Sequence, residues 1–246
     1  MTNRATRVDR LGLGGFLRPG SETVDGQPRV EVVLAYLVHH PEGLLLLDTG
    51  MGSHPEVDAH YRPWRTDLRA ALRTRGVSLD DVRLVVNCHL HFDHCGGNPL
   101  LAGVPVFAQR TERELAEGAD YTLPELVDFP GVRYELLDGA AELLPGVRVL
   151  ATPGHTAGHQ SLAVQTDDGT VVLAGQSHDH ASDFTAHALA ASWPGSDGNE
   201  TAAAPSYPAW MDEILALDPR RVLFAHDEAV WEPSRAPHRT SSVGGR

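Results

Sequence analysis

The sequence contains no lysine: all 20 of its positively charged side chains are arginines. That excludes chemistry needing a primary amine on the chain, such as Schiff-base catalysis, Ser–Lys dyads and the Walker-A phosphate grip. Cysteine is nearly absent as well. The 2 cysteines in 246 residues, Cys88 and Cys95, are too few for a disulfide framework. They flank the densest histidine cluster, either as small buried residues beside a site or as thiols with a role in it. Long hydrophobic runs are missing. Val32–Val38 and Leu44–Leu47 are far shorter than the roughly 20 apolar residues a membrane span needs. Met1–Arg18 is polar and Arg-rich, without the apolar stretch of a signal peptide, so a cytoplasmic protein is expected. Basic charge is short too: 20 Lys and Arg against 33 Asp and Glu leave a net charge of -13. Nucleic acid and anionic membrane surfaces are therefore not expected as partners, because both need basic side chains to neutralise phosphate.

What is present is enough apolar material for one substantial core, 41% of the chain. Met1–Gln27 reads as a weakly structured extension with scattered glycines, in which Leu11–Leu17 could dock as an early strand. The folded domain is expected over residues 30–231, and the polar tail 232–246, rich in Pro, Ser and Gly, is expected to be disordered. Between these ends, strand-like and helix-like pieces alternate. Val30–Val38 and Leu44–Asp48 read as a hairpin across His39–Gly43. Trp64–Arg75, Thr111–Glu117 and Pro208–Leu217 have helical spacing. Val82–Asn87, Val104–Ala108, Val147–Ala151, Ser161–Thr166, Thr170–Ala174 and Arg221–Ala225 read as strands. The mixture predicts a layered α/β fold with mixed sheets.

The histidine groups follow directly after predicted strands, where side chains converge on one rim of a sheet. His89-Leu90-His91-Phe92-Asp93-His94 comes after Val82–Asn87, and alternation lets His89 and His91 point the same way, with Asp93 and His94 at the bend. Three imidazoles and a carboxylate within six residues are costly to bury unless something binds them, and this donor set suits first-row metal ions. Thr152-Pro153-Gly154-His155 presents a histidine at a tight turn after Val147–Ala151, and His159 nearby reads as structural. His226, in Phe224-Ala225-His226-Asp227, ends the last strand, and Asp227 beside it could orient an imidazole. A solvated polar turn is the alternative for each group taken alone.

Taken together, His89–His94 followed by Gly96-Gly97, then Thr152–His159, then His226, with Asp48-Thr49-Gly50 after the early hairpin, resembles the metallo-β-lactamase superfamily. Within it, the pattern looks most like the N-acyl homoserine lactonase group. The resemblance spans roughly Val30 to Asp227. It implies a four-layer αβ/βα sandwich with the site at the edge between the sheets. It implies His89, His91 and His155 around one metal, and Asp93, His94 and His226 around another. The metal would be zinc, one or two ions, with iron, manganese or cobalt as alternatives. The implied reaction is attack of a metal-activated water on a lactone or ester carbonyl, with Asp93 orienting the nucleophile or taking its proton.

One position departs from the family pattern. Where the family carries an Asp bridging both metals, Gly175-Gln176-Ser177 offers Gln176, a neutral and weaker ligand. Three readings stay open: Gln176 binds through its carbonyl oxygen, one metal alone is held tightly, or a carboxylate in His178–Asp183 substitutes. Where the lactonases tend to have a Tyr three residues on, this chain has Asp179, which is a candidate acid or substrate contact or else an exposed loop residue. The long segment from His178 to Tyr207 and the stretch Tyr121–Pro130 read either as pocket walls or as core cover. The expected function is thus a metal-dependent hydrolase of a small lactone or ester, as a monomer or homodimer. The alternatives are a biosynthetic enzyme on this fold, acting on a thioester or a natural-product intermediate, and a non-catalytic binding module.

Overall fold

A computed structural model describes residues 6–23, 25–118, 121–193 and 205–233. Most of the tail 232–246 therefore lies outside the described residues. Among the described residues, twelve strands form two sheets. The first contains β1 (Arg7–Arg18), β2 (Arg29–His40), β3 (Gly43–Leu47), β4 (Trp64–Arg65), β5 (Val82–Val86), β6 (Pro105–Gln109) and β7 (Arg133–Leu137), in the order β4-β1-β2-β3-β5-β6-β7. The second contains β8 (Ala141–Leu144), β9 (Val147–Ala151), β10 (Gln160–Thr166), β11 (Gly169–Leu173) and β12 (Arg221–Leu223), in the order β12-β11-β10-β9-β8. The helices are α1 (Pro55–Tyr61), α2 (Leu68–Arg73), α3 (Phe92–Cys95), α4 (Arg110–Leu115), α5 (Pro124–Val127), α6 (Ala181–Ala191) and α7 (Trp210–Ala216).

The side-chain alternation of β2 explains the layering. Val33, Ala35 and Leu37 point to one face, where they pack with α2 through Leu68, Ala71 and Leu72. Leu34, Tyr36 and Val38 point to the other, against Val149, Leu162, Val164 and Leu173 of the second sheet. The far face of that sheet is covered by α6 and α7 through Phe184, Met211 and Ile214. Helix, sheet, sheet and helix thus enclose three apolar layers, the four-layer sandwich expected from the sequence. A strand buried on both faces reads as a continuous apolar run, which is why β2 was legible.

Several boundaries differ from the sequence reading. The early strand expected over Leu11–Leu17 is longer: Arg7–Arg18 is a twelve-residue strand paired with β2 from Arg7↔His39 to Arg18↔Arg29. Glycines interrupt its apolar pattern. The register shifts between Gly12 and Gly15, and Gly14 at φ 115 lies so close to Trp64 that a Cβ would sit 2.0 Å from the Trp64 carbonyl oxygen. Trp64–Arg65 is not the start of a helix but β4, paired on that bulge. The helix begins after Asp67, whose carboxylate accepts from the Ala70 backbone N–H. The segment after His178 contains α6, which buries Phe184 fully. Residues 194–204 lie outside the described residues.

Candidate metal centre

The strand ends of both sheets deliver the site. β5 runs into Cys88 and His89, β9 into His155, β11 into Gln176, β12 into His226 and β3 into Asp48. Three bonds tie the end of β12 to β2: the Leu34 N–H donates to the Ala225 carbonyl at 2.9 Å, the Tyr36 hydroxyl to Phe224 at 2.7 Å, and His226 Nδ1–H to Val32 at 2.8 Å. Gly175 permits the approach of β11 to β5, since a Cβ there would lie 2.4 Å from that of Cys88.

Every histidine singled out between His89 and His94, together with Asp93, His155 and His226, converges in two sets. His91 Nδ1 lies 2.9 Å from His89 Nε2 and 3.2 Å from His155 Nε2. Asp93 Oδ2 lies 3.4 Å from both His94 Nε2 and His226 Nε2, and these two nitrogens are 3.2 Å apart. A tetrahedral ion with ligands at about 2.0–2.1 Å spaces its donor atoms about 3.3 Å apart.

The hydrogen bonds behind the rings sharpen this. His94 donates Nδ1–H to Asp48 Oδ2 at 2.9 Å, and His226 donates its own to Val32. With Nδ1 committed as donor, each ring in its neutral, ligating form presents a bare Nε2 lone pair to the other, with the Asp93 carboxylate beside them. Three acceptors facing one another at van der Waals separation repel unless a cation sits among them. The electrostatics show the same demand for positive charge, met by a proton on His94 where no ion is bound. Burial lowers His94, yet Cys88, Asp93 and Asp48 outweigh it and raise the group well above its ordinary value. Burial raises Asp93, but His94 and His226 hold it well below the carboxylate range. Burial lowers His91 to about 4 and His155 to about 3, and drives His89 well below the usual histidine value, so these rings are neutral and ready to ligate. The donor set of imidazoles and one carboxylate fits zinc and its first-row neighbours.

Around these atoms lies a shell that the sequence showed only in part. Asp48, at a left-handed φ of 62, accepts from the Cys88 N–H at 2.8 Å and from the Cys88 thiol at 3.0 Å besides His94. The thiol also lies 3.2 Å from His89 Nδ1, so Cys88 is a buried junction between the two ligand sets. Glu112, fully buried in α4, accepts from the Leu90 N–H at 2.8 Å, from Thr156 Oγ1 at 2.7 Å and from the Tyr121 hydroxyl. Tyr121 in turn tilts against the His91 ring at 4.7 Å. His159, read as structural, receives the Gln176 backbone N–H at 3.0 Å and contacts Thr152.

Gln176 and Asp179 lie together. The Gln176 amide donates to Asp179 Oδ1 at 3.1 Å, and Arg29 grips Asp179 Oδ2 at 2.5 Å. Burial raises Asp179, but Gln176 and Arg29 pull it down to about 2. It is an ionised carboxylate paired with Arg29 and Gln176 at the edge of the site. Arg29 also bonds Glu31, which Arg18 holds through two further bonds of 2.6 and 2.7 Å. Arg18, Phe16, Tyr61 and Tyr121 join His91, Asp93, His155 and Gln176 around a pocket of 280 Å³. Of the stretch 121–130, only Tyr121 lines that pocket; Leu126 and Val127 are core. Nothing in the sequence around Arg18 signalled this position, because its partner Glu31 sits on the neighbouring strand.

Comparison with known proteins agrees with the geometry. The metallo-beta-lactamase superfamily matches residues 28–226. An N-acyl homoserine lactonase from Bacillus cereus is 34% identical over 182 residues, covering 68% of this chain and 69% of the relative. An N-acyl homoserine lactonase AttM from Agrobacterium fabrum is 27% identical over 162 residues, 56% of this chain and 61% of that protein. Among solved structures, an N-acyl homoserine lactone hydrolase with N-hexanoyl-L-homoserine bound at its catalytic metal centre superposes with a TM-score of 0.70 at 25% identity, over 93% of this chain and 95% of the other. The AiiA F107W variant from B. thuringiensis, with N-decanoyl-L-homoserine bound, gives 0.71 at 26% identity over the same shares. Strand order, converging histidines and a match over most of the chain lead to one assignment: the chain belongs to the metallo-beta-lactamase superfamily.

Proposed function

We propose that this chain is a metal-dependent hydrolase that opens a small lactone of the N-acyl homoserine type or cleaves a related ester. The observation that carries the reading is the facing of Asp93, His94 and His226 as three acceptors with their other ring atoms already committed to Asp48 and Val32. Such an arrangement is costly without a cation and useful with one. The likeness to lactonases at 34% and 25% identity supports the reaction class.

His89, His91 and His155 would hold one ion, and Asp93, His94 and His226 a second. Bound divalent metal supplies an activated water and polarises a carbonyl oxygen. Asp93 is held ionised, and its second oxygen is the acceptor that orients the attacking water or takes its proton. With its NH2 donated to Asp179, the Gln176 amide has its oxygen left for the centre. Tyr121 and the Glu112 network keep the His91 ring from turning. Phe16, Tyr61 and Phe92 form an aromatic wall, with Tyr61 stacked on Phe92 at 5.0 Å, that excludes water from one side of the substrate.

The test combines metal content with turnover. Protein purified without chelator or added metal is expected to carry up to two equivalents of zinc or a neighbouring ion by elemental mass spectrometry. It should open N-acyl homoserine lactones faster than it cleaves thioesters, and His91→Ala should abolish this while the thermal melt shows a folded chain. Protein that takes up no metal on reconstitution and turns over neither class would sink the proposal in favour of a binding module.

A further inference from the structure

The pocket beside the ligand sets contains one permanent cation among the described residues that line it, Arg18 at the end of β1. Its guanidinium is fixed. Nε and Nη2 grip the two oxygens of Glu31 at 2.6 and 2.7 Å, and the plane lies 5.5 Å from the Phe16 ring centroid. Glu31 is itself buried and also held by Arg29 at 2.6 Å, so the fork is anchored from behind. Nη1 is differently placed. Its nearest carboxylate oxygen, on Glu22, is 3.9 Å away, beyond hydrogen-bond reach, and Glu22 is engaged by His60 at 2.6 Å and Tyr61 at 3.1 Å. A rigid, charged donor with unspent N–H groups therefore borders a pocket whose other side is the ligand cluster.

A donor whose position is fixed in advance selects for an acceptor, because leaving it dry and unpaired is costly. The pocket volume of 280 Å³ is at the small end for ligand sites, which limits how far a substituent can extend. Resting on the hydrolase reading above, we infer that Arg18 is a specificity-determining residue: its Nη1 donates to an oxygen on the non-reacting part of a short lactone or ester. The substrate class is thus a compact molecule carrying an amide, keto or hydroxyl oxygen near the scissile carbonyl, rather than one with a long, purely apolar chain.

The experiment uses the metal-loaded full chain and two γ-butyrolactones with equal numbers of heavy atoms, one bearing a 2-acylamino group and the other a 2-alkyl group. Wild type is expected to favour the acylamino compound by at least about tenfold in kcat/KM, and Arg18→Met to shrink that ratio by about 10- to 100-fold, chiefly through KM. Arg29 still pairs with Glu31 in this variant, and a thermal melt with metal analysis checks its fold. If Arg18→Met does not fold, Arg18→Lys serves. One ammonium cannot both grip Glu31 and reach the pocket, so the ratio should again fall. Equal losses on both substrates, or an unchanged ratio, would overturn this inference while leaving the hydrolase reading standing. Failure of wild type to open either lactone would overturn both.

Discussion

The two ligand sets differ in charge and depth. Asp93, His94 and His226 are all buried, include a carboxylate, and have their rear atoms locked by Asp48 and the Val32 carbonyl. His89, His91 and His155 are three neutral imidazoles running from a buried His89 to an exposed His155, with Cys88, Tyr121 and Glu112 behind them. The inner set therefore calls for positive charge before any substrate arrives, whereas the outer set offers lone pairs without countercharge. A cation in the inner set offsets the repulsion among buried acceptors. One in the outer set trades water for imidazole with less electrostatic gain. The difference predicts unequal metal affinities, inner tighter than outer.

The largest effect should come from removing the inner countercharge. Asp93→Asn leaves His94 and His226 facing each other with no anion between them, and should lower kcat/KM for a lactone by about a thousandfold or more. It should also lower the bound metal to below one equivalent on dialysis, measured by elemental mass spectrometry. Retention of two tightly bound ions in this variant would break the comparison. His155→Ala is the counterpart on the outer side. It should reduce stoichiometry to about one equivalent while the remaining ion resists weak chelators. If both ions left together, the two sets would have to be treated as one cooperative site.

Asp48 tests the support of the inner set rather than its ligands. Replacing Asp48 by Asn keeps a carbonyl acceptor for one partner but loses the charge that His94 and Cys88 share. Loss of such outer partners weakens metal binding by about 10- to 100-fold. Titration with a competing chelator should show this loss in the tighter of two binding steps. A loss confined to the weaker step would place Asp48 with the outer set instead.

The legibility of these parts in the sequence follows their physics. Candidate ligands that cluster in sequence or follow an apolar run at a strand end are easily seen, as His89, His91, Asp93, His94, His155 and His226 are. So are the doubly buried β2 and β3. Asp48 was noticed only as part of a turn, because its partners lie 40 and 46 residues away. Glu112 reads as one more acid on a polar helix until Leu90, Thr156 and Tyr121 surround it. β7 and β8 are edge strands, half exposed, and their mixed composition carries little alternation. β1 shows in the sequence only as Leu11–Leu17, so its ends, and Arg18 with them, go unmarked.

Gln176 gives the smallest effect and the sharpest reading of the outer set. The amide satisfies Asp179 through its NH2 at 3.1 Å, and a ligand role would fall to its oxygen. Gln176→Glu keeps the length and adds a charge. With metal bound, a carboxylate facing the cluster should tighten the weaker ion by about tenfold, since affinity for a hard cation rises with ligand charge. In either state the other oxygen, which replaces the amide NH2, confronts Asp179 with no donor between them, costing about 1–3 kcal/mol that only bound metal offsets. Metal-free protein should therefore melt at a lower temperature than wild type, while the metal-loaded variant melts at an equal or higher one, because ligands that bind the native state alone stabilise it. The opposite signs are the test. A fall in both melts with unchanged metal affinity would mean that the Gln176 oxygen faces away from the cluster. The outer ion would then rest on His89, His91 and His155 alone.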